Sequence, residues 1–467
     1  MVNNAPTLPA LWDPALRRFA DERTELIREL VRAFDAPLHF VFAQQFERNV
    51  RAFEQVLKAH GVDGQVFFAK KANKARCFAQ TCAALRAGVD VASAGEFAEA
   101  LAAGVRGEHI GVSGPAKAQG LIGLALAHGA LIAIDSLDEL ARTVAVARQT
   151  GRTARVLLRM RPADQRTSRF GLDQDALEAA LAQCAREAPS LRFEGISFHL
   201  SGYRADARAH EAVRALSACA AARARGLKPR TIDIGGGFAV SYASERDWRA
   251  FVATHGPCDY HADKTFESFY PYHQTPHGAA MLDAMLGTVP EGASRPLARL
   301  VADEDLRIML EPGRALVDQA GFTVFAVQGV KDVTDEAGRS YGIVTVNGTS
   351  FSVSEQWFGS EFLLDPELLP AVASAPSLAA PCARYRACVG GASCLDADML
   401  TWRKVAFSRR PAAGDLLLYP NTAGYQMDSN ESPFHALPLP PKIAVTLDEA
   451  HTRAHWRLDG PTLFSGA

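Results

Sequence analysis

The chain has no Cys-x-x-Cys pair and no cysteine–histidine spacing of the kind that holds zinc. Its eight cysteines (77, 82, 184, 219, 258, 382, 388 and 394) are scattered over 467 residues. This rules against a disulfide scaffold and reads as the reduced, mainly buried thiols of a cytoplasmic protein. Long apolar runs are also missing. The segment LIGLALAHGALIAI (121–134) stops short of the ~18 residues a spanning helix needs, and it carries His128. The start, MVNNAPTLPALWDPALRRF, lacks the basic-then-apolar order of a secretory signal. No block of like charge occurs and the net charge is −2, which speaks against nucleic acid or a membrane surface as partner. Repeats and low-complexity tracts are absent. What remains is an ordinary globular composition, long enough for roughly two or three domains.

After about residue 45 two patterns alternate. Short apolar runs read as strands: VFFA (66–69), DVAS (90–93), IGVS (110–113), LIAID (131–135), VLLRM (156–160), GISFHL (195–200), TIDIGGG (231–237) and RIMLEPG (307–313). Segments of helical period, such as EFAEALAAGV (96–105) and DALEAALAQCAREA (175–188), lie between them. Such alternation predicts βαβ units and a parallel sheet, buried on both faces. Eight runs suit a (β/α)8 barrel better than a six-stranded open sheet. Polar residues gather where the runs end: Lys71, Asp90, Ser113, Asp135, Arg161, His199, Gly235–Gly237 and Glu311. Barrel enzymes place their chemistry at that face. Beyond about residue 320 the texture turns β-rich (FTVFAVQGVKDV, SYGIVTVNG, DLLLYPNTAGY, PKIAVTLD). The expected organisation is an α/β barrel over 46–318 and a mainly antiparallel, β-barrel-like domain over 319–467. Residues 1–45 are expected to pack with the β domain. The 73 residues 238–310 are long for one crossover. Their aromatic- and His-rich part is an active-site insertion or a decorated surface loop.

Several residues could carry chemistry, and each has a plainer reading. Lys71 is a solvated lysine at a strand end, or an amine whose burial equips it to form a Schiff base. Gly235-Gly236-Gly237 is a turn, or a set of amides that cradles a phosphate. Glu311 and Arg314 in EPGR are a structural ion pair, or a carboxylate for a protonated pyridine nitrogen beside a phosphate-binding arginine. His199 is a structural histidine, or a flat ring to stack on a cofactor. Cys394, among acids in GASCLDAD, is a core thiol or a proton donor. Tyr425 covers a core edge or donates to a phosphate oxygen.

Taken in order over about residues 37–455, these stretches resemble the barrel-type (fold-type III) pyridoxal-phosphate decarboxylases, which include ornithine, diaminopimelate and biosynthetic arginine decarboxylases. Phe68-Ala69-Lys70-Lys71-Ala72-Asn73 matches the family's Y/F-A-x-K-A-N, and DVASAGE (90–96) its D-x-x-S-x-G-E. SGPAK (113–117), SRFG (168–171), FH (198–199), GGG and EPGR also match. The resemblance implies pyridoxal 5'-phosphate as cofactor, an amino acid as substrate and a head-to-tail homodimer with shared sites. It implies Lys71 as the Schiff-base lysine, Asp90 as its neighbour and His199 as the stacking ring. Ser201 with the three glycines would form the phosphate loop. Glu311 would meet the pyridine nitrogen. Gly313, Arg314 and Tyr425 would lie on the phosphate side. Cys394 would reach the partner subunit's site as catalyst, and Arg169, Asp396 and Asp398 would contact substrate. No metal is expected.

Three departures from the family pattern stand out. The usual H-x-G-S reads His199-Leu200-Ser201-Gly202, so the serine is displaced by one position. The usual G-A-Y reads Ala423-Gly424-Tyr425. Relatives acting on diamino acids carry an acid directly after the cysteine, where this chain has Leu395, with Asp396 and Asp398 following. A leucine cannot pair with an ammonium. The expected reaction is therefore decarboxylation of an amino acid with a non-basic or carboxylated distal end, for example a citryl-conjugated diamino acid in siderophore assembly. A standard diaminopimelate, ornithine or lysine decarboxylase and a racemase on the same barrel are the competing expectations.

Overall fold

Eight short parallel strands close on themselves in chain order: Gly64–Ala69, Gly88–Val91, Ile110–Val112, Leu131–Ile134, Ala154–Arg159, Leu191–Ser197, Thr231–Asp233 and Arg307–Leu310. The first pairs with both the second and the last, Phe67 opposite Gly88 and Val66 opposite Leu310. Every strand expected from the apolar runs is present. The computed structural model describes residues 6–353, 361–369, 384–448, 450–451 and 453–460. Cys382 lies outside them. Among the described residues the other seven cysteines are free, and Cys394 is the exposed one. No described helix is long and apolar enough to cross a membrane.

The barrel interior is filled by side chains. Phe67, Leu131, Leu157 and Met309 form one buried cluster. Gly88 makes room for it, since a Cβ there would sit 2.3 Å from the Phe67 ring. Local chemistry sets where the helices begin. Ser93 caps the helix Ala94–Ala102 by accepting from the Glu96 amide at 3.1 Å, and Glu96 reaches back to the Ala92 amide at 2.8 Å. The D-x-x-S-x-G-E stretch thus contains a helix-capping device next to Asp90. Ser136 and Glu139 repeat it at the helix Leu137–Thr150. Glu139 is fully buried there with Lys117, 3.1 Å away, whose ammonium also donates to the carbonyls of Gly114 and Ala133. The lysine of SGPAK is thereby tied into the barrel wall.

The chain divides into two compact units, residues 46–239 with 276–316, and residues 1–45 with 240–275 and 317–467. This differs from one cut at 45 and another at 318, because 240–275 cluster with the β-rich part. The second unit is built on a nine-stranded, mainly antiparallel sheet. Leu38–Phe42 lies in its middle, antiparallel to Gly321–Thr334 and parallel to Lys442–Leu447. The helices Pro14–Glu22 and Thr24–Phe34 bury Leu16, Phe19, Ile27 and Leu30 in one core with Phe40, Phe42 and Phe322. Asp13 starts the first of them by accepting from the amides of Ala15 and Leu16. The aromatic stretch after residue 240 is mostly core. Tyr242, Tyr260 and Tyr272 are buried, rings of Tyr242, Tyr270 and Tyr272 pack on one another, and the Tyr272 hydroxyl accepts from the Leu363 amide at 2.9 Å. Of the two readings offered for this stretch, neither describes these tyrosines; they build the second unit's interior.

Candidate active site

Strand register brings the barrel-rim residues together. Ala69 is opposite Asp90 in the sheet, so the 3-10 turn Lys70–Ala72 begins beside that acid. The two lysines of the turn part there. Lys70 is 1% exposed and paired with Glu99, whereas Lys71 is exposed. The Lys71 charge acts on Asp90, Glu311 and His199 alike. An amine, two carboxyls and an imidazole from four different strand ends therefore share one site.

Burial dominates the acids. It pushes Glu311 up to about 8 and Asp233 up to about 7, with each raised further by a neighbouring carboxyl, Asp233 for Glu311 and Asp90 for Asp233. The two carboxyls also act on each other, Asp233 raising Glu311. Asp90 is held well above the usual carboxylate range by burial first and Glu311 second. One of its oxygens accepts from the Ser113 hydroxyl at 3.0 Å; the other is buried and has no hydrogen-bond partner. Burial, with the charges of Lys71, Arg159 and Arg208, lowers His199 to about 3, so its ring is neutral. His199 Nδ1 accepts from the Gly236 amide at 3.2 Å, which leaves the ring proton on Nε2.

The triple-glycine turn cannot be built from other residues. Gly235 and Gly237 have φ of +67° and +77°. A Cβ on Gly235 would lie 2.7 Å from His199 Nδ1, and one on Gly236 would lie 2.5 Å from the Glu311 carbonyl oxygen. Asp233 accepts from the Gly235 amide at 2.9 Å and so ties the turn to the acid pair. Gly313 and buried Arg314 follow Glu311 and Pro312, Arg314 opening a 3-10 turn. Ser201 is exposed on the neighbouring loop after His199. Arg169 is exposed on the loop after the fifth strand, its guanidinium 4.3 Å from the Phe170 ring centre.

Two residues of this site were not singled out from the sequence. Asp233 is a charged residue inside an apolar strand, a legible signal in a sheet buried on both faces. Arg159 sits in the strand VLLRM two positions before Arg161, the polar residue at the end of that run. Arg159 lies 3.3 Å from Asp135 and over the Phe170 ring, and its charge also acts on Glu311, Asp233 and His199.

The remaining expected residues belong to the other unit. Cys394 and Asp396 are exposed, and Leu395 is 45% exposed. Cys394 Sγ lies 3.1 Å from His435 Nε2. Tyr425 adopts φ +76° and is half-buried. Asp398, expected to contact substrate, is placed here against backbone amides. It is 4% exposed, and its two oxygens accept from the amides of Ser350 at 2.7 Å and Ser393 at 3.1 Å. Its carboxylate braces the Cys394 loop.

The barrel residues suit pyridoxal phosphate. Asp90 keeps a buried oxygen without a donor, the glycine turn packs its backbone closer to His199, Glu311 and Arg208 than any side chain would allow, and the neutral His199 ring lies beside that turn. Lys71 would hold the aldehyde, Glu311 the ring nitrogen, and the Gly237 amide of the glycine turn with Arg314 the phosphate.

The comparisons agree with that chemistry. Residues 43–270 match the family described as pyridoxal-dependent decarboxylase, pyridoxal binding domain. The chain belongs to the fold-type III pyridoxal-phosphate-dependent decarboxylases, a family of carboxy-lyases. Among its relatives is the uncharacterized protein y4yA of Sinorhizobium fredii, 38% identical over 441 residues and covering 94% of each chain. Diaminopimelate decarboxylase of Bacillus subtilis is 25% identical over 449 residues, 90% of this chain and 89% of its own. Among solved structures, diaminopimelate decarboxylase from M. jannaschii in complex with L-lysine superposes with a TM-score of 0.73 at 18% identity, over 93% of this chain and 91% of that one.

Proposed function

We propose that this chain removes the α-carboxyl group of an amino acid whose distal end is not a bare ammonium but is carboxylated or conjugated, a citryl-diamino acid being one example. The cluster of Lys71, Asp90, His199 and Glu311 beside the triple-glycine turn carries the decarboxylase reading. Leu395 carries the substrate reading, since an exposed leucine stands where relatives with diamino substrates present an acid.

Bound pyridoxal phosphate supplies an electron-withdrawing ring that accepts the electrons left by the departing carboxyl. The residues do the rest. Lys71 would hold the cofactor's aldehyde. Glu311 would keep a proton at the ring nitrogen, next to the carboxyl of Asp233. Neutral His199 would present its flat ring to the cofactor without adding charge. Asp90 accepts from the cofactor side of the site. Arg169 and Asp396 contact the substrate, Ser201 and Tyr425 the phosphate end. Cys394 of a second copy delivers the proton that replaces the carboxyl group, which makes the working enzyme a head-to-tail homodimer. Donor placement decides the product, because a proton delivered to the wrong carbon disables the cofactor.

The second reading, a diaminopimelate, ornithine or lysine decarboxylase, is favoured by Asp396, exposed one position beyond Leu395 and available to an ammonium. A CO2-release screen over free and acylated diamino acids separates the two. The first reading expects conjugated or carboxylated substrates to be turned over fastest. Faster release from free ornithine or lysine overturns it.

A further inference from the structure

Arg208 is buried to 1% exposure in the helix Ala205–Ala224 and has no carboxylate partner among the described residues. A guanidinium without a counter-charge is costly to bury. All five of its hydrogen bonds go to carbonyl oxygens: Nη2 to Leu200 at 3.0 Å, Gly202 at 2.8 Å and Gly236 at 3.2 Å, Nε to Gly236 at 3.3 Å, and Nη1 to Arg204 at 3.3 Å. It thus clamps two turns, the loop after His199 and the triple-glycine turn. They touch: a Cβ on Gly237 would lie 3.3 Å from the Gly202 oxygen.

Peptide geometry makes this clamp directional. In a trans peptide the carbonyl and the following N–H point opposite ways. With the carbonyls of Leu200 and Gly236 turned onto the guanidinium, the amides of Ser201 and Gly237 point away from it. Neither amide donates to any other group of the described residues. Two outward amides backed by a fixed positive charge make a site for a dianion.

We propose that Arg208 is a positioning residue for the phosphate end of the cofactor. Its guanidinium aims the Ser201 and Gly237 amides at the phosphate and supplies the charge that the dianion neutralises. Backbone and buried charge thereby take over the contact that the displaced serine hydroxyl would make in the family pattern. The inference rests on the reading of the glycine turn as the cofactor's phosphate site.

The test compares two aldehydes on the cofactor-free enzyme. Wild type, Arg208→Lys and Arg208→Met are titrated with pyridoxal phosphate and with pyridoxal, which lacks the phosphate, and uptake on Lys71 is read by absorbance and fixed with borohydride. Arg208→Met is expected to lose about tenfold or more in affinity for pyridoxal phosphate while its affinity for pyridoxal stays within about twofold. Arg208→Lys, which keeps the charge but not the fork, should lose less, about three- to tenfold, on the phosphate compound alone. Inorganic phosphate should raise the melting temperature of cofactor-free wild type and not that of Arg208→Met. Equal losses for both aldehydes, or no loss, overturn the proposal. If Arg208→Met does not fold, the ratio of the two affinities in Arg208→Lys decides in the same way. Failure of wild type to fix either aldehyde on Lys71 would instead overturn the cofactor reading itself.

Discussion

Lys70 and Lys71 are adjacent in the chain and opposite in environment. Lys70 is buried against Glu99, while Lys71 is exposed and acts electrostatically on Asp90, Glu311 and His199. A 3-10 turn at the end of the first barrel strand separates them. One amine is tied into the wall and the other faces the acids and histidine of the barrel rim. Lys71→Ala should abolish turnover and the borohydride-fixed cofactor. Lys70→Met should keep both and cost at most about 1 kcal/mol of ion-pair stability, because Glu99 is largely solvated. Mass spectrometry of the reduced protein and a denaturant titration check the pair.

Gly236 tests the fit of the glycine turn. Gly236→Ala would press a methyl group onto the Glu311 carbonyl, an overpacking that costs about 1–3 kcal/mol. It should weaken cofactor uptake. Gly226→Ala is the control: its φ is +80° but nothing lies within 4 Å. It should destabilise by about 1 kcal/mol and leave uptake unchanged. Thermal unfolding with and without pyridoxal phosphate separates the two.

Stability of the cofactor-free protein should depend on pH in a defined direction. Unfolded, Glu311 and Asp233 ionise near their ordinary values of 4.5 and 3.8; folded, they hold their protons to about 8 and about 7. The folded state therefore binds more protons across that window, and stability falls as pH rises through it. His199 works the other way, its folded value of about 3 lying below the ordinary 6.5, so its cost appears only as pH drops below 6.5. Between pH 6.5 and 8 the acids of the site act without it. Glu311→Gln should flatten the decline there, as read by denaturant midpoints at several pH values.

Sharing of sites between two copies predicts complementation. Neither Lys71→Ala nor Cys394→Ala should turn over substrate well alone, though Cys394→Ala should still bind cofactor. Mixed under conditions that exchange subunits, they should recover about a quarter of wild-type activity, since half the dimers then carry one intact site of two. No recovery, with exchange verified by mass spectrometry, would show that each site is complete within one chain.

Asp398 should matter for the Cys394 loop and not for substrate charge. Asp398→Ala leaves the amides of Ser350 and Ser393 without acceptors, at about 1–3 kcal/mol. It should speed alkylation of Cys394 and change KM little across substrates of different distal charge. An effect on KM confined to cationic substrates would return Asp398 to the substrate.

Much of this protein was legible in its residues because the signals are local. Eight apolar runs separated by helical periods specify parallel strands wherever they meet, and polar residues at the run ends mark one face. Lys71, Asp90, His199, the glycines and Glu311 could therefore be picked out before any contact was known. Contacts between distant segments were not legible. Asp233 pairs with Glu311, 78 positions on, only because the last two barrel strands lie side by side. Arg159 rather than Arg161 joins the site because of where its strand ends. Residues 240–275 join the β-rich unit because their rings find a core there, which no periodicity announces. Arg208 reads in the sequence as one more polar residue on a helix. Only the fold, by turning four carbonyls onto it, makes it the buried charge that clamps the glycine turn to the loop after His199.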